Sequence, residues 1–270
     1  MATRFFDRRV FSNLGVYVYG AGAIALGISG LVWTDFATNW QRVEANVSHR
    51  SALAFIVAVY ELAAGAAILW RRTARTGAMM LAILYSVFAS LWVPQILGSP
   101  KVYDGWGNFF EEFSLVIAGV VVCASLAPPD SVLAGRAAQI SRLFGICAIS
   151  FALEQLFYLS GTAGFVPKWI PPGQMFWAIA TAVFFLLAAA AILSGFLAGL
   201  ASRLLTAMIA GFEALVWAPI LAATPHVHFA WAGNAISLAM AGAAWVVADS
   251  ISKSGKPRLK VAEANAVAAN

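Results

Sequence analysis

Apolar residues occupy the chain in long blocks, and polar residues are largely confined to the short stretches between them. The blocks are about 20 residues long, the length at which a helix crosses the roughly 30 Å hydrocarbon core of a bilayer. We therefore predict an all-α membrane protein. Its expected transmembrane helices, about eight in number, lie at 13–33, 51–70, 76–97, 109–126, 141–161, 174–193, 200–223 and 229–247.

The composition agrees with this pattern and excludes an ordinary soluble domain. Hydrophobic residues make up 61% of the 270 residues and charged residues 11%, and the mean hydropathy is +0.82. Soluble domains carry about 25% charged residues. The chain is therefore expected to be a multi-pass protein whose main partner is the lipid bilayer.

The formal net charge of +5 reports orientation in a protein of this kind. With eight crossings, the N-terminus, alternate loops and the C-terminus share one side, and they carry 13 of the 17 Lys and Arg residues. Basic segments next to transmembrane helices stay in the cytoplasm. We predict cytoplasmic N- and C-termini in a bacterial-type plasma (inner) membrane, and no nucleic-acid partner.

One stretch of the sequence recurs. LWVPQILGSPKVYDGWGN at 91–108 is matched by VWAPILAATPHVHFAWAGN at 216–234, and both contain Trp-x-Pro, Pro, Trp and Asn in that order. The repeat predicts two four-helix units at 1–127 and 141–250, a cytoplasmic linker at 128–140 and a basic, disordered tail at 251–270. Units with an even number of helices enter the membrane from the same side, so we expect parallel repeats about an axis along the membrane normal.

Each copy of the repeat places a proline in the outer third of a predicted helix, at Pro94 and Pro219. Proline removes a backbone donor and frees the carbonyl four residues earlier, so both helices are expected to kink. A kink opens space at the outer side. Simple helix packing explains such prolines equally well.

Four acidic residues fall inside predicted helices. Glu61 lies near the middle of the second helix, Glu112 at the outer start of the fourth, and Glu154 and Glu213 in the outer halves of the fifth and seventh. A charged side chain at mid-bilayer costs about 2.5–3.5 kcal/mol on insertion scales, so each should face protein or water. All four are candidate ligand-binding residues, whereas Glu111 lies close to the interface and is expected to be solvated.

Eight of the ten tryptophans lie at or near the predicted outer side. An interfacial aromatic belt is the default explanation, but a belt would occupy both faces of the membrane. The imbalance favours an aromatic-lined cavity at the outer side. We assign to it Trp92 and Trp217, with Asn108 and Asn234 as hydrogen-bonding groups at the same depth.

Catalytic chemistry has no signature in the sequence. We find no Walker loop, dinucleotide fingerprint or nucleophile elbow and predict no catalytic residue, which favours a protein without activity of its own. The three histidines all fall in predicted outer loops, which argues against transmembrane haem ligation. His226 and His228 are weak candidates for a metal site.

The second unit contains FALEQLFY, then GFVPKWIP and the pair Phe176-Trp177. These segments resemble the Glu-His segment, the Val-Pro-x-Trp-Ile-Pro loop and the next helix start of the DoxX-like family of membrane proteins. Glu154 occupies the acidic position of that pattern, and Gln155 replaces the adjacent family histidine. The resemblance implies a tandem of two DoxX-like four-helix units. It also implies association with quinone or redox systems, since the family is named for subunits of a thiosulfate-to-quinone oxidoreductase.

Three functions are compatible with these features. The first is an outer-leaflet pocket for a small amphipathic ligand, with quinone as one candidate, in an accessory subunit associated with a redox complex. The second is a proton-coupled transporter of small solutes, in which Glu61, Glu154 and Glu213 exchange protons. The third is a purely structural partner in a membrane complex.

Overall fold

The computed structural model describes residues 14–37, 39–128 and 130–268, and it describes side chains as far as residue 253. Within these residues all regular secondary structure is helical. Eight segments are long and apolar enough to cross a membrane, which confirms the predicted class of fold. The basic residues of the N-terminus, which are predicted to be cytoplasmic, lie outside the described part of the chain. They are Arg4, Arg8 and Arg9.

The helices are numbered in chain order. They are α1 Leu14–Trp33, α2 Arg50–Leu69, α3 Ala74–Gly98, α4 Asp104–Ser125, α5 Val132–Arg142, α6 Phe144–Phe157, α7 Leu159–Phe165, α8 Gln174–Ser194, α9 Ala198–Phe212, α10 Ala218–Ala223 and α11 His228–Ala268. A π-helical turn at Glu213–Trp217 connects α9 to α10.

The fifth crossing begins earlier than the sequence suggested. It runs over Val132–Phe157 as α5 followed directly by α6, so most of the expected linker at 128–140 is helical. Ser131 provides the local reason, because its hydroxyl accepts a 3.2 Å hydrogen bond from the amide of Ala134 and caps the new helix. At the other end of the chain, α11 extends to Ala268 and thus into the segment expected to be disordered.

The last helix of each predicted unit lies at the centre of the bundle. Helix α4 packs against α3, α5, α6 and α11, and α11 packs against α1, α4, α5 and α9. These two helices are the most buried of the eight crossings. The first helix of each predicted unit thus packs on the last helix of the other, as an axis between α4 and α11 would require. The division into two units stays a prediction.

Small residues allow the central helices to approach closely. A β-carbon added to Gly22 of α1 would lie only 2.5 Å from the Cα of Ala239 in α11. Small residues at helix contacts are typical of membrane bundles, in which van der Waals packing rather than the hydrophobic effect holds helices together. The α1–α11 contact therefore depends on the absence of a side chain at residue 22.

The loops at 34–49, 99–103, 166–173 and 224–227 lie at one end of the bundle, which we call the Trp40 end. The distribution of basic residues predicts that this end faces the outer side. The two repeated prolines lie near this end of the bundle, but the helices around them differ. Pro94 lies within α3, which stays α-helical to Gly98, whereas Pro219 follows the π-helical turn. A widened turn is one way to accommodate a residue that cannot donate a backbone hydrogen bond.

Candidate functional site

A cavity of about 410 Å³ lies at the Trp40 end of the predicted second unit. Its walls come from α6, α7, the loop that follows α7, α8, α9, the π-helical turn and α11, with Trp40 and Glu111 added from the first half of the chain. Aromatic rings and a few polar groups line it. The polar side chains are Glu111, Glu154, Gln155, Tyr158, Thr162, Thr181 and Ser237. No Lys, Arg or His is among the described residues that form the walls.

Glu154 projects from α6 into this cavity, where sequence reasoning had placed a ligand-binding carboxyl. The opposite surface of α4 makes room for it, since a β-carbon on Gly107 would lie 2.5 Å from both carboxyl oxygens. Among the described residues no hydrogen-bond donor or cation is paired with Glu154, and its charged neighbours are Glu111 and Asp104. A carboxyl left without a protein partner is available to a ligand.

Glu111 is the acidic residue that sequence reasoning missed. It was expected to be solvated, but it is half-buried on the cavity wall beside the Trp40 side chain. The repeat contained a signal that could have identified Glu111 as a cavity residue. The shift that aligns Asn108 with Asn234 also aligns Glu111 with Ser237, and Ser237 lines the same cavity.

Trp217 lies at the centre of an aromatic cluster that closes one side of the cavity. Its ring centroid is 5.9 Å from Trp40, 5.9 Å from Phe165 and 5.6 Å from Phe229. Aromatic pairs at this spacing pack favourably in tilted or edge-on arrangements. Trp40 belongs to the α1–α2 loop, so both halves of the sequence contribute to this wall.

Glu213 and Asn234 lie next to the cavity and bind each other. The Asn234 amide donates a 2.7 Å hydrogen bond to Oε1 of Glu213, and the Ser237 hydroxyl lies beside the same carboxyl. The other oxygen, Oε2, is buried without a hydrogen-bond partner among the described residues. The pair links the π-helical turn to α11 and reaches the cavity wall through Ser237.

Glu61 and Glu112 lie elsewhere, in the closed interior of the first half. Glu61 accepts a 2.7 Å hydrogen bond from the side-chain amide of Gln41. Glu112 is fully buried, and neither carboxyl oxygen has a hydrogen-bond partner in the described structure. Tyr19 and Tyr85 surround this pair. The four predicted acids therefore occupy two separate places, and only Glu154 lines the cavity.

The α1–α2 loop is packed into the bundle. Phe36, Ala37, Trp40 and Gln41 are all buried. The loop is fixed by an ion pair between Arg50 and Asp35. The repeat-related loop at 166–173 is less buried: Trp169 is 73% exposed, and Val166, Pro167 and Ile170 line the cavity. The two loops therefore differ in burial, and both contribute to the cavity wall.

Trp92 contacts this loop and does not line the cavity. Its indole N–H donates a 2.9 Å hydrogen bond to the carbonyl oxygen of Trp40. The guanidinium of Arg42 lies 5.3 Å from its ring centroid. Trp92 and Trp217 thus occupy matching places in the repeated motif but different surroundings.

The remaining predicted residues have local roles. The Asn108 amide donates to the backbone oxygen of Asp104 at 2.9 Å, within the first turn of α4. His228 is the first residue of α11, where it stacks on Trp33 with 4.9 Å between ring centroids, and His226 precedes that helix. Within the described residues no group of three or more His, Cys, Asp and Glu side chains could hold a metal ion.

A second depression, of about 560 Å³, follows the surface between α3 and α4. Its walls are mostly apolar, with Arg75 at one end and no carboxyl among the described residues that form it. An apolar groove on the face of a bundle is where lipid chains pack, so this depression offers little to orient a polar ligand. The cavity at the Trp40 end is the better candidate.

The fold and the cavity define a class: a multi-pass helical membrane protein with an acidic, aromatic-lined cavity at one end of its bundle. A scan of known protein families matches none of them, and searches of curated proteins and of solved structures find no significant match. The DoxX-like resemblance therefore rests on the motifs quoted above.

Proposed function

We propose that this protein binds a small amphipathic ligand in the cavity at the Trp40 end. The observation that carries the proposal is a cavity of about 410 Å³ with an unpaired carboxyl, Glu154, on a largely aromatic wall. Ligand sites in proteins measure about 300–1,000 Å³ and combine apolar walls with a few orienting polar groups. The size and the chemistry of this cavity both fit that description.

The walls indicate how such a ligand would lie. Its apolar part would pack against Trp177, Trp217 and Phe185, and its polar head would reach Glu111 and Glu154. Tyr158, Phe165 and Leu215 are more than 40% exposed and line the same cavity. The cavity is therefore continuous with the protein surface on the side of α7 and the π-helical turn, and a ligand could enter there.

The biological setting is a further part of the proposal. The orientation predicted from the basic residues would put the cavity in the outer leaflet. The DoxX-like resemblance adds quinone as a candidate ligand and an accessory role beside a membrane redox complex as the context. These two suggestions depend on the quoted motifs and are tested by identifying what the protein carries.

Native mass spectrometry of the detergent-purified protein, followed by solvent extraction, is the direct test. The wild type should carry a bound small molecule at a fixed ratio, and Glu154→Gln should reduce its occupancy. Glu44→Gln is the matched control, because Glu44 is exposed, pairs with Arg42 and lies in a loop at the same end outside the cavity. A wild type without ligand and as stable as Glu154→Gln would overturn the proposal in favour of a structural partner.

A further inference from the structure

The tryptophans of the two Trp-x-Pro motifs differ in their contact with a cationic side chain. In the first copy, the Arg42 guanidinium lies 5.3 Å from the centroid of Trp92. In the second copy, Trp217 faces the cavity, and the described cavity walls contain no Lys, Arg or His. The first half of the chain thus supplies its own cation to this position, and the second half presents the same ring type to an open space.

The same asymmetry holds for the acidic groups. Arg42 is paired with Glu44 at 2.9 Å, so the cation over Trp92 has a carboxylate of its own. The cavity beside Trp217 contains Glu111 and Glu154, and within the described structure neither is paired with a cationic side chain. Carboxylates with aromatic rings and no cation form the kind of surface that binds organic ammonium groups.

We propose that the cavity selects an organic cation, an amine or quaternary ammonium group on a small apolar body. This inference rests on the proposed function, because it specifies the ligand of that same cavity. The ammonium group would occupy the space between Trp217 and the carboxylates of Glu111 and Glu154, the counterpart of the Arg42 position in the first half. The apolar body would pack against the remaining rings.

Charge compensation favours a cationic ligand in this cavity. A carboxylate that is partly withdrawn from water is costly unless a positive charge or hydrogen bonds balance it, and Glu154 has neither among the described residues. A neutral ligand such as a quinone offers acceptors only, and these can bind to the two acids only in their protonated form. A cationic ligand balances the ionised form directly, and the ring of Trp217 adds attraction to the same charge.

The test compares a cation with its uncharged isostere. Benzyltrimethylammonium and neopentylbenzene have nearly the same shape and differ in charge. A small dimethoxy-methyl-benzoquinone serves as the neutral polar probe. Binding to the wild-type protein in lipid nanodiscs is followed by quenching of tryptophan fluorescence and by calorimetry. The cation should bind at least about tenfold more tightly than the isostere.

Two variants locate the effect. Glu154→Gln should weaken binding of the cation about tenfold and leave binding of the isostere unchanged, which also shows that the cavity is intact. Glu44→Gln removes the same charge from the same end and should change neither. Equal binding of cation and isostere by the wild type would overturn the inference, as would a cation affinity that is insensitive to Glu154.

The outcomes separate this inference from the proposed function. If the quinone or the isostere binds as tightly as the cation, and Trp217→Ala abolishes that binding, the cavity is a ligand site but not one selective for cations. If none of the three probes binds and no small molecule co-purifies, both proposals fail. If the cation binds at least about tenfold more tightly than the isostere and its affinity depends on Glu154, both are supported.

Discussion

Gly107 of α4 and Glu154 of α6 fit together so closely that a β-carbon at residue 107 would lie 2.5 Å from both carboxyl oxygens. The contact joins the last helix of the predicted first unit to the first crossing of the second. The carboxyl can reach the cavity only because residue 107 has no side chain.

Gly107→Ala is expected to displace the Glu154 carboxyl, because the added methyl group would meet it. The free energy of unfolding should change little, since the carboxyl is the end of a flexible side chain beside an open cavity. Ligand occupancy should fall with the displacement. Thermal unfolding in detergent and native mass spectrometry measure the two effects. Gly135→Ala is the control, because an added β-carbon on α5 meets nothing within 4 Å. It should leave stability unchanged or raise it, as alanine favours a helix.

Asn234→Ala should destabilise the protein by about 1–3 kcal/mol, because it leaves the half-buried Glu213 carboxyl without its 2.7 Å hydrogen bond. Asn108→Ala is the matched comparison from the other copy of the repeat. Asn108 bonds to Asp104 within its own helix, so this change should cost less. Chemical denaturation of both variants provides the measurement, and equal losses would contradict the distinction between them.

Glu112→Met should raise the free energy of unfolding, because it replaces a fully buried carboxyl that has no hydrogen-bond partner in the described structure with an apolar side chain of similar size. Glu61→Met should be less stable than Glu112→Met by about 1–3 kcal/mol, since it leaves the Gln41 amide unpaired. Unfolding midpoints of the two variants, compared with the wild type, test both statements. A loss of stability in Glu112→Met would indicate an unrecognised partner for that carboxyl.

Tyr103, in the short loop between α3 and α4, should titrate above its usual value of about 10. Burial raises its pKa, a hydrogen bond with Ser150 opposes this, and the negative charge of Glu154 adds to it. The folded state therefore holds the phenolic proton more tightly than the unfolded chain does. Its contribution to stability is present below about pH 10 and is lost as pH rises through the higher folded pKa.

Ultraviolet titration of phenolate, with Tyr103→Phe used to assign the signal, measures this pKa. Glu154→Gln should lower it, because a neighbouring negative charge is removed. Ser150→Ala should raise it, since the hydroxyl no longer stabilises the phenolate. A Tyr103 pKa that is unchanged in Glu154→Gln would show that the carboxyl is neutral or distant.

The crossings could be predicted from sequence because lipid imposes one length and one composition on every spanning helix. The start of the fifth crossing could not be predicted in this way, because α5 carries Arg136 and Arg142 and has no continuous apolar run. Its helix depends on the Ser131 cap and on packing against α4. The π-helical turn before Pro219 was likewise invisible, because Pro94 is in a matching sequence position within a continuous α-helix.

The cavity was only partly predictable for a related reason. Glu154 and Trp217 stand out as an acid and an indole inside apolar segments, and both line the cavity. Glu111 and Trp40 look like ordinary interfacial residues, and their position on the wall depends on how α4 and the α1–α2 loop fold back on the second half. Hydrophobic pattern assigns a residue to a helix face, but it does not say which loop covers that face.

The α1–α2 loop joins the two halves of the sequence. Trp40 belongs to the first half of the sequence, but its ring stacks on Phe229, with 5.8 Å between centroids, and packs edge-on against Trp217. Two segments almost 180 residues apart in sequence therefore form one surface. A substitution in either segment would therefore alter the packing surface of the other.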